Sequence, residues 1–266
     1  MSENFPNAPL VELIAEIRWE AASPVLDETG DVVADMDLDV HSDVLFQAFG
    51  DRMAAEGYLR SERLTPPGYP APAGMAVYRY SSTGDSGESA VFQIGAGVLT
   101  VNAIQPYRTW NHFRPKVRQG LDALIASWTD ANRPDRFSKV TIRYIDSFGD
   151  EYLEGKSRTH FVSEVLGFKL SLPSAFEAHL DGTDPNLFLQ FSSGLRNGGR
   201  VAVRAGHATV ENEDAVVMDT TVSHGDGAAL DTADVLALLD SGHEVIHDTF
   251  VQLTRGVGHI LRGEAK

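Results

Sequence analysis

The chain has 266 residues, of which 42% are hydrophobic and 23% are charged, and its formal net charge at pH 7 is −16. Such a chain is long enough to bury a substantial core, either as one large domain or as two smaller ones. The negative charge excludes a nucleic-acid-binding surface unless arginines cluster on one face. The absence of cysteine excludes disulfides, thiolate nucleophiles, zinc knuckles and iron–sulfur clusters.

Membrane and export signals are missing from the sequence. It has no uninterrupted apolar run of about 18 residues, the length that a transmembrane helix requires. Its first residues, MSENFPNAPL, lack the basic segment and the following apolar segment of a secretory signal peptide. We therefore expect a cytoplasmic protein that has no membrane partner.

The first half of the chain predicts a strand, a helix, three strands and a long helix. The apolar residues of positions 10–20 suit either a helix or a strand, and the preceding proline and the short length of the run favour a strand. The first helix covers residues 41–57, with Ser42 as its N-terminal cap. The polar residues 21–40 are predicted to be a loop, and the proline-rich residues 61–75 are predicted to be a structured loop or an extended crossover. The other predicted elements are strands over residues 75–81, 90–94 and 98–104 and an amphipathic helix over residues 109–128.

The second half of the chain predicts a similar order of elements. β-Branched and aromatic residues predict a strand over residues 137–148, and residues 161–166 suit a short helix. Asn197 and Gly198 give the strongest hairpin signal in the sequence. The other predicted elements are strands over residues 187–191, 201–204 and 215–222 and a final helix over residues 231–255.

The repeated order of elements predicts that one α+β unit is used twice, as residues 1–134 and residues 135–266. The two units share little residue identity, so this prediction depends on element order alone. We expect a curved antiparallel sheet with the long helices on one face, in a helix-grip or saddle-like arrangement. Such a fold does not by itself imply a function.

The central strand carries the first candidate site. Arg143, Tyr144 and Asp146 interrupt its apolar run, and an arginine in that position suits a carboxylate or a phosphate. With His243 of the final helix, these side chains would converge around a cavity if they bind a ligand. The alternative is a structural ion pair, such as Arg143 with Asp146.

The start of the long helix carries a second candidate site. Trp110 and Arg114 lie in its first turns, and the N-terminus of a helix attracts anions. The alternative is an aromatic anchor with solvated polar neighbours.

The final helix contains a match to the HExxH motif. In zinc hydrolases of this type two histidines bind the metal and the glutamate activates water, and here these are His243, His247 and Glu244. A third ligand at a recognisable spacing is missing, and His243 lies on the apolar face of the helix, where a hydrogen-bonded core histidine is more usual. We therefore predict neither a metal nor a cofactor, and keep zinc as the alternative.

Three segments stand out together: FPNAPLVELIAEIRW at the start, VTIRYIDSF at the midpoint and HEVIHDTFVQL near the end. In these segments the chain resembles a bacterial family of uncharacterised proteins of about this length, sporadically distributed among genomes. The resemblance extends over most of the chain through short motifs, and His247 is not one of the residues that match. The residues that carry it are Pro9, Val11, Glu12, Arg143, Tyr144, His243, Glu244 and Phe250.

That family has no established activity to carry over, and its sporadic distribution implies an accessory role, such as bacterial defence or toxin immunity. We therefore expect a non-catalytic binding or interaction protein. The negative charge suits a basic protein partner and disfavours direct contact with nucleic acid. The alternative is a small-ligand-binding protein or a hydrolase with a concave sheet pocket, and a zinc hydrolase is its least favoured form. The sequence does not indicate an oligomeric state.

Overall fold

The computed structural model describes most of the chain. The described residues are 5–20, 36–66, 73–82, 90–104, 109–130, 132–169, 173–177, 179–181, 184–196, 198–225 and 227–264.

Nine strands are found in these described ranges, and they form one sheet. The strands are β1 (Leu10–Trp19), β2 (Arg60–Arg63), β3 (Tyr78–Ser81), β4 (Ala90–Gly95), β5 (Val98–Ile104), β6 (Phe137–Phe148), β7 (Phe188–Gly194), β8 (Arg200–Val210) and β9 (Glu213–His224). The order across the sheet is β2-β3-β4-β5-β1-β6-β9-β8-β7, and the pairing is antiparallel. The predicted α+β class with an antiparallel sheet is therefore confirmed.

Seven α-helices complete the described part of the fold. They are α1 (Met36–Ala55), α2 (Trp110–Ser127), α3 (Asp150–Leu153), α4 (Arg158–His160), α5 (Ser174–Glu177), α6 (Thr232–Leu253) and α7 (Gly258–Leu261). A π-helical turn covers Phe161–Val165, and a 3-10 turn covers Arg255–Val257.

The two halves of the strand order share one feature. In the first half, the last strand of a meander, β5, lies beside the first strand, β1. In the second half, β9 lies beside β6 in the same way, and β1 and β6 are neighbours at the middle of the order.

Two predicted loops contain regular structure. Strand β2 overlaps residues 61–75, the segment predicted to be a structured loop or an extended crossover, because pairing with β3 outweighs its weak intrinsic preference for a strand. Helix α1 begins at Met36, before the predicted cap Ser42, since a capping residue favours a helix start without forcing it. Residues 21–35 of the first predicted loop, and Asn197 of the hairpin, lie outside the described residues.

The chain divides into two compact units that interleave along the sequence. Unit 1 contains Met1–Glu12, Arg143–Val222 and His243–Lys266, and unit 2 contains Leu13–Ile142 and Ser223–Gly242. A repeat of element order is a different property from compactness, so the sequence division at residue 134 stays a prediction.

The core of unit 2 lies under one face of β1. Leu13, Ala15, Ile17 and Trp19 are buried at alternate positions, as the strand prediction requires. The rings of Trp19 and Trp128 meet edge to face at 5.5 Å, and helices α1 and α2 pack on β4.

The core of unit 1 is centred on Phe148, at the end of β6. Its ring lies 5.0 Å from that of Phe161, 5.5 Å from that of Tyr152 and 6.4 Å from that of Phe250. Helix α6 therefore lies against the face of β6 that carries Phe148.

Candidate functional site

Alternation along β6 separates the residues of the first candidate site. Successive side chains of a strand point to opposite faces, so Tyr144 and Asp146 share the face of Phe148, and Arg143 lies on the other. The contacts agree, because Tyr144 meets His243 of α6 while Arg143 meets Asp219 of β9. The structure thus brings two of the four residues together in direct contact and places Arg143 elsewhere.

Arg143 is held in an ion pair. Its Nε lies 2.8 Å from Asp219 Oδ1, and its Nη2 lies 2.7 Å from Asp219 Oδ2. Two parallel hydrogen bonds of this kind fix the plane of the guanidinium. The partner is Asp219 rather than Asp146, the acid considered from the sequence.

Tyr144 and His243 form a hydrogen-bonded ring pair. The phenol oxygen lies 2.7 Å from His243 Nδ1, and the two rings stack with centroids 6.0 Å apart. His247 adds a third ring, 5.5 Å from that of His243. This arrangement fixes the orientation of His243 on the apolar side of α6.

Asp146 is the one acidic side chain among the buried polar groups of the described residues, with 4% of its surface exposed. Burial raises the pKa of its carboxyl from 3.8 to about 7, and burial is the sole cause of the shift. Burial also raises the pKa of Tyr152 to about 12, with smaller contributions from the charges of Glu151 and Asp146. The core of unit 1 therefore contains a carboxyl group that is protonated below about pH 7.

The HExxH residues do not assemble a metal centre in the described part of the chain, where no group of three or more ligating side chains is found. His243 is engaged with Tyr144, and Glu244 is exposed on the other side of the helix. In the same described part, no helix is both long enough and apolar enough to span a bilayer.

Trp110 and Arg114 converge on one acid. The indole Nε1 of Trp110 donates to Asp240 Oδ1 at 2.9 Å, and Arg114 binds both carboxylate oxygens of Asp240 at 2.8 Å. The anion at the start of α2 is thus a side chain of the same unit. Thr109 precedes the helix, but its hydroxyl contacts the ring of His112 instead of capping the backbone.

The sequence predicts the β7–β8 hairpin but not the open edge of β7. Strand β7 pairs with β8 and ends the strand order, so its other edge has no neighbour among the described strands. Its sequence, FLQFSSG, contains no charge, and Phe188 and Phe191 are 70% and 44% exposed. Of the seven large apolar side chains exposed in the described residues, four lie between positions 176 and 191.

The hydrogen bonds at both ends of the hairpin show which backbone groups of β7 point away from β8. His207 N donates to Leu187 O, and Leu195 N donates to Gly199 O. In an antiparallel pair such bonds recur at every second residue, so odd-numbered residues of β7 bond to β8. The N–H and C=O groups of Phe188, Gln190, Ser192 and Gly194 therefore point to the open edge.

The open edge was not visible in the sequence because an edge strand is defined by what lies beside it. A signal was present all the same: residues 188–210 contain Arg196, Arg200 and Arg204 but neither Asp nor Glu. In a chain with 38 acidic residues, that composition marks the hairpin as unusual.

Comparison with protein families, with curated proteins and with solved structures finds no match for this chain.

Proposed function

We propose that this protein is a non-catalytic binding protein that takes up an extended segment of a partner protein as an additional strand beside β7. The observation that carries the proposal is the uncharged open edge of β7, with four residues whose backbone groups point outward. Such edges are the sites at which strand addition occurs, because each outward N–H and C=O can bond to the incoming backbone.

Apolar contacts support the same proposal. Phe191 lies on the core side of β7, where its ring is 6.2 Å from that of Phe168, and it is still 44% exposed. A strand added at the edge would place alternate side chains beside Phe191, and these would extend the core of unit 1. Backbone bonds would supply affinity, and the side chains next to Phe191 would supply selectivity.

A peptide-display selection tests this function. A random library is selected on the wild-type protein and counter-selected on Gln190→Pro, which removes an outward N–H and leaves the bonds to β8 intact. We expect enriched peptides that compete with one another, bind the wild-type protein and lose binding to Gln190→Pro. Peptides that bind both proteins equally, or a selection without enrichment, would contradict the proposal.

A second candidate function is a small-ligand site on the inner face of β6, and the specific observation in its favour is the buried carboxyl of Asp146. Ligand-observed NMR with a fragment library compares the wild-type protein with Asp146→Asn. A fragment whose binding disappears in the variant alone supports the site, and a library without such a fragment counts against it.

A role in bacterial defence or toxin immunity, which the resemblance implies, stays a prediction. The same holds for a basic protein partner, since that expectation follows from the net charge of −16 and concerns the surface as a whole.

A further inference from the structure

We infer that the segment bound at β7 is acidic at alternate positions, with apolar residues between them. This inference rests on the proposed function and names the chemistry of the partner. It follows from the charge of the hairpin, from the direction of its arginine side chains and from the alternation of faces along a strand.

The β7–β8 hairpin is positively charged, although the chain as a whole is negatively charged. Arg196, Arg200 and Arg204 give residues 188–210 a formal charge of +3, since the segment has no acidic residue, while the whole chain carries −16. Within the described ranges none of the three arginines forms an ion pair. Other arginines do, as Arg143 does with Asp219 and Arg114 with Asp240.

Two of the arginines share one face of the sheet. Arg200 and Arg204 lie at even positions of β8, both are exposed, and their partners across the strand pair are Gly194 and Gln190. Core residues such as Val203 occupy the odd positions, so the arginines lie on the outer face of the hairpin.

The side chain of Arg200 reaches toward the open edge. Its Nη1 donates to Ser192 Oγ at 3.3 Å, which places the guanidinium over β7. An added strand would lie about 4.8 Å beyond β7. An acidic side chain on its outer face could then reach this guanidinium, because the side chain of Ser192 is short and Gly194 has none.

The two faces of the added strand would therefore differ. Residues opposite the outward groups of β7 share their face with Arg200 and Arg204, where acids are favoured. The residues between them point to the side of Phe191, where apolar groups are favoured. The predicted segment alternates acidic and apolar residues with a period of two.

Three synthetic peptides test the inference: valine alternates with glutamate in one, with glutamine in the second and with lysine in the third. Fluorescence anisotropy gives their Kd values at low and high salt. We expect the glutamate peptide to bind most tightly and to weaken as salt rises. In the double variant Arg200→Glu/Arg204→Glu its affinity should fall about tenfold, and the lysine peptide should become the best ligand.

Two control variants locate the effect. Arg60→Glu/Arg63→Glu makes the same change in net charge on β2, and should leave the order of the peptides unchanged. Gln190→Pro should weaken all three peptides, because it removes a backbone bond that each of them needs.

The outcomes separate the two proposals. Equal binding of the glutamate and glutamine peptides, with both lost in Gln190→Pro, would overturn the acidic preference and leave the proposed function standing. Tightest binding of the lysine peptide to the wild-type protein would also overturn the acidic preference and leave the proposed function standing. If no peptide binds, both proposals fail. Binding of single-stranded oligothymidylate that is lost in Arg200→Glu/Arg204→Glu but kept in Gln190→Pro would overturn the inference in favour of a nucleic-acid surface.

Discussion

The two strands at the ends of the sheet order, β2 and β7, protect their open edges to very different degrees. Strand β2 has four residues, RSER, all of them exposed, and three of them are charged. Strand β7 has seven residues without a charge and exposes Phe188 and Phe191. Short length and charge are the usual means by which proteins keep an edge from pairing, so β2 is a protected edge and β7 is not.

The backbone groups show the same difference. Leu64 N donates to Val77 O, which directs the even-numbered residues of β2 toward β3 and leaves Ser61 and Arg63 facing outward. The open edge of β7 presents twice as many outward residues. Exposure of an edge is therefore not enough for a binding site: the number of outward-pointing residues, the charge and the apolar surface distinguish β7 from β2.

The variant with the largest predicted change in the free energy of unfolding, Asp146→Asn, lies in the core of unit 1. It also tests whether the open edge of β7 depends on the stability of that unit. Burial raises the pKa of Asp146 from 3.8 to about 7. Between these two pH values the carboxyl of the folded protein therefore retains a proton that the unfolded chain has released. Below about pH 4 the carboxyl is protonated in both the folded and the unfolded state, and its contribution to the free energy of unfolding is fully present. As pH rises this contribution falls, because the unfolded chain releases the proton first, and it reaches its minimum above about pH 7.

Asp146→Asn removes the loss of stability that comes from ionising a buried carboxyl. Denaturant unfolding at pH 8 should show the variant to be more stable by on the order of 4 kcal/mol, and the difference should vanish near pH 4. Asp248→Asn, at an exposed position of α6, serves as the control for the removal of a carboxylate. Peptide binding at β7 should be unchanged in Asp146→Asn; a loss of binding would mean that the edge opens only through instability of unit 1.

A pair of neighbouring proline variants tests the alternation of β7. Ser193→Pro removes an N–H that bonds to β8, and should lower the free energy of unfolding by about 3 kcal/mol. Ser192→Pro removes an outward N–H and should cost less than about 1 kcal/mol, because that group has only solvent to lose. Equal losses in the two variants, measured by urea unfolding, would contradict the assignment of inward and outward residues.

A pair of glycine variants tests the close approach of β7 and β8. A Cβ on Gly206 would clash with the backbone oxygen of Leu187, so Gly206→Ala must displace the start of β7 and should cost about 2 kcal/mol. Gly194→Ala has nothing within 4 Å of the new atom and should be neutral. Thermal unfolding measures both, and a neutral Gly206→Ala would show that the hairpin is looser than its register indicates.

The variant with the smallest predicted change in the free energy of unfolding is Glu62→Gln in β2. Glu62→Gln breaks the pair between Glu62 and Arg79, whose atoms are 3.5 Å apart and whose side chains are 48% and 42% exposed. Its cost should be below about 0.5 kcal/mol, because water screens exposed pairs. The edge should still bind no peptide, since two charged residues of the strand remain. New peptide binding at β2 would mean that this one pair protects the edge.

Local pattern predicted the elements with strong periodicity, and context decided the others. The strand over residues 137–148 matches β6, because its β-branched and aromatic residues satisfy one geometry. Strand β2 was not predicted, because it depends on pairing with its neighbour β3 rather than on its own residues. The partners of Arg143 and Arg114 escaped it as well, because Asp219 and Asp240 lie 76 and 126 residues away in sequence.

Residue-resolved amide hydrogen exchange measures whether the outward amides of β7 are open to an incoming strand. In the free protein the amides of Leu189, Phe191 and Ser193 should be protected, while those of Gln190 and Ser192 should exchange rapidly. On binding of the glutamate–valine peptide, the amides of Gln190 and Ser192 should become protected too. Slow exchange at Gln190 and Ser192 in the free protein, or no change in their exchange when peptide binds, would contradict the assignment of β7 as an open edge that accepts a strand.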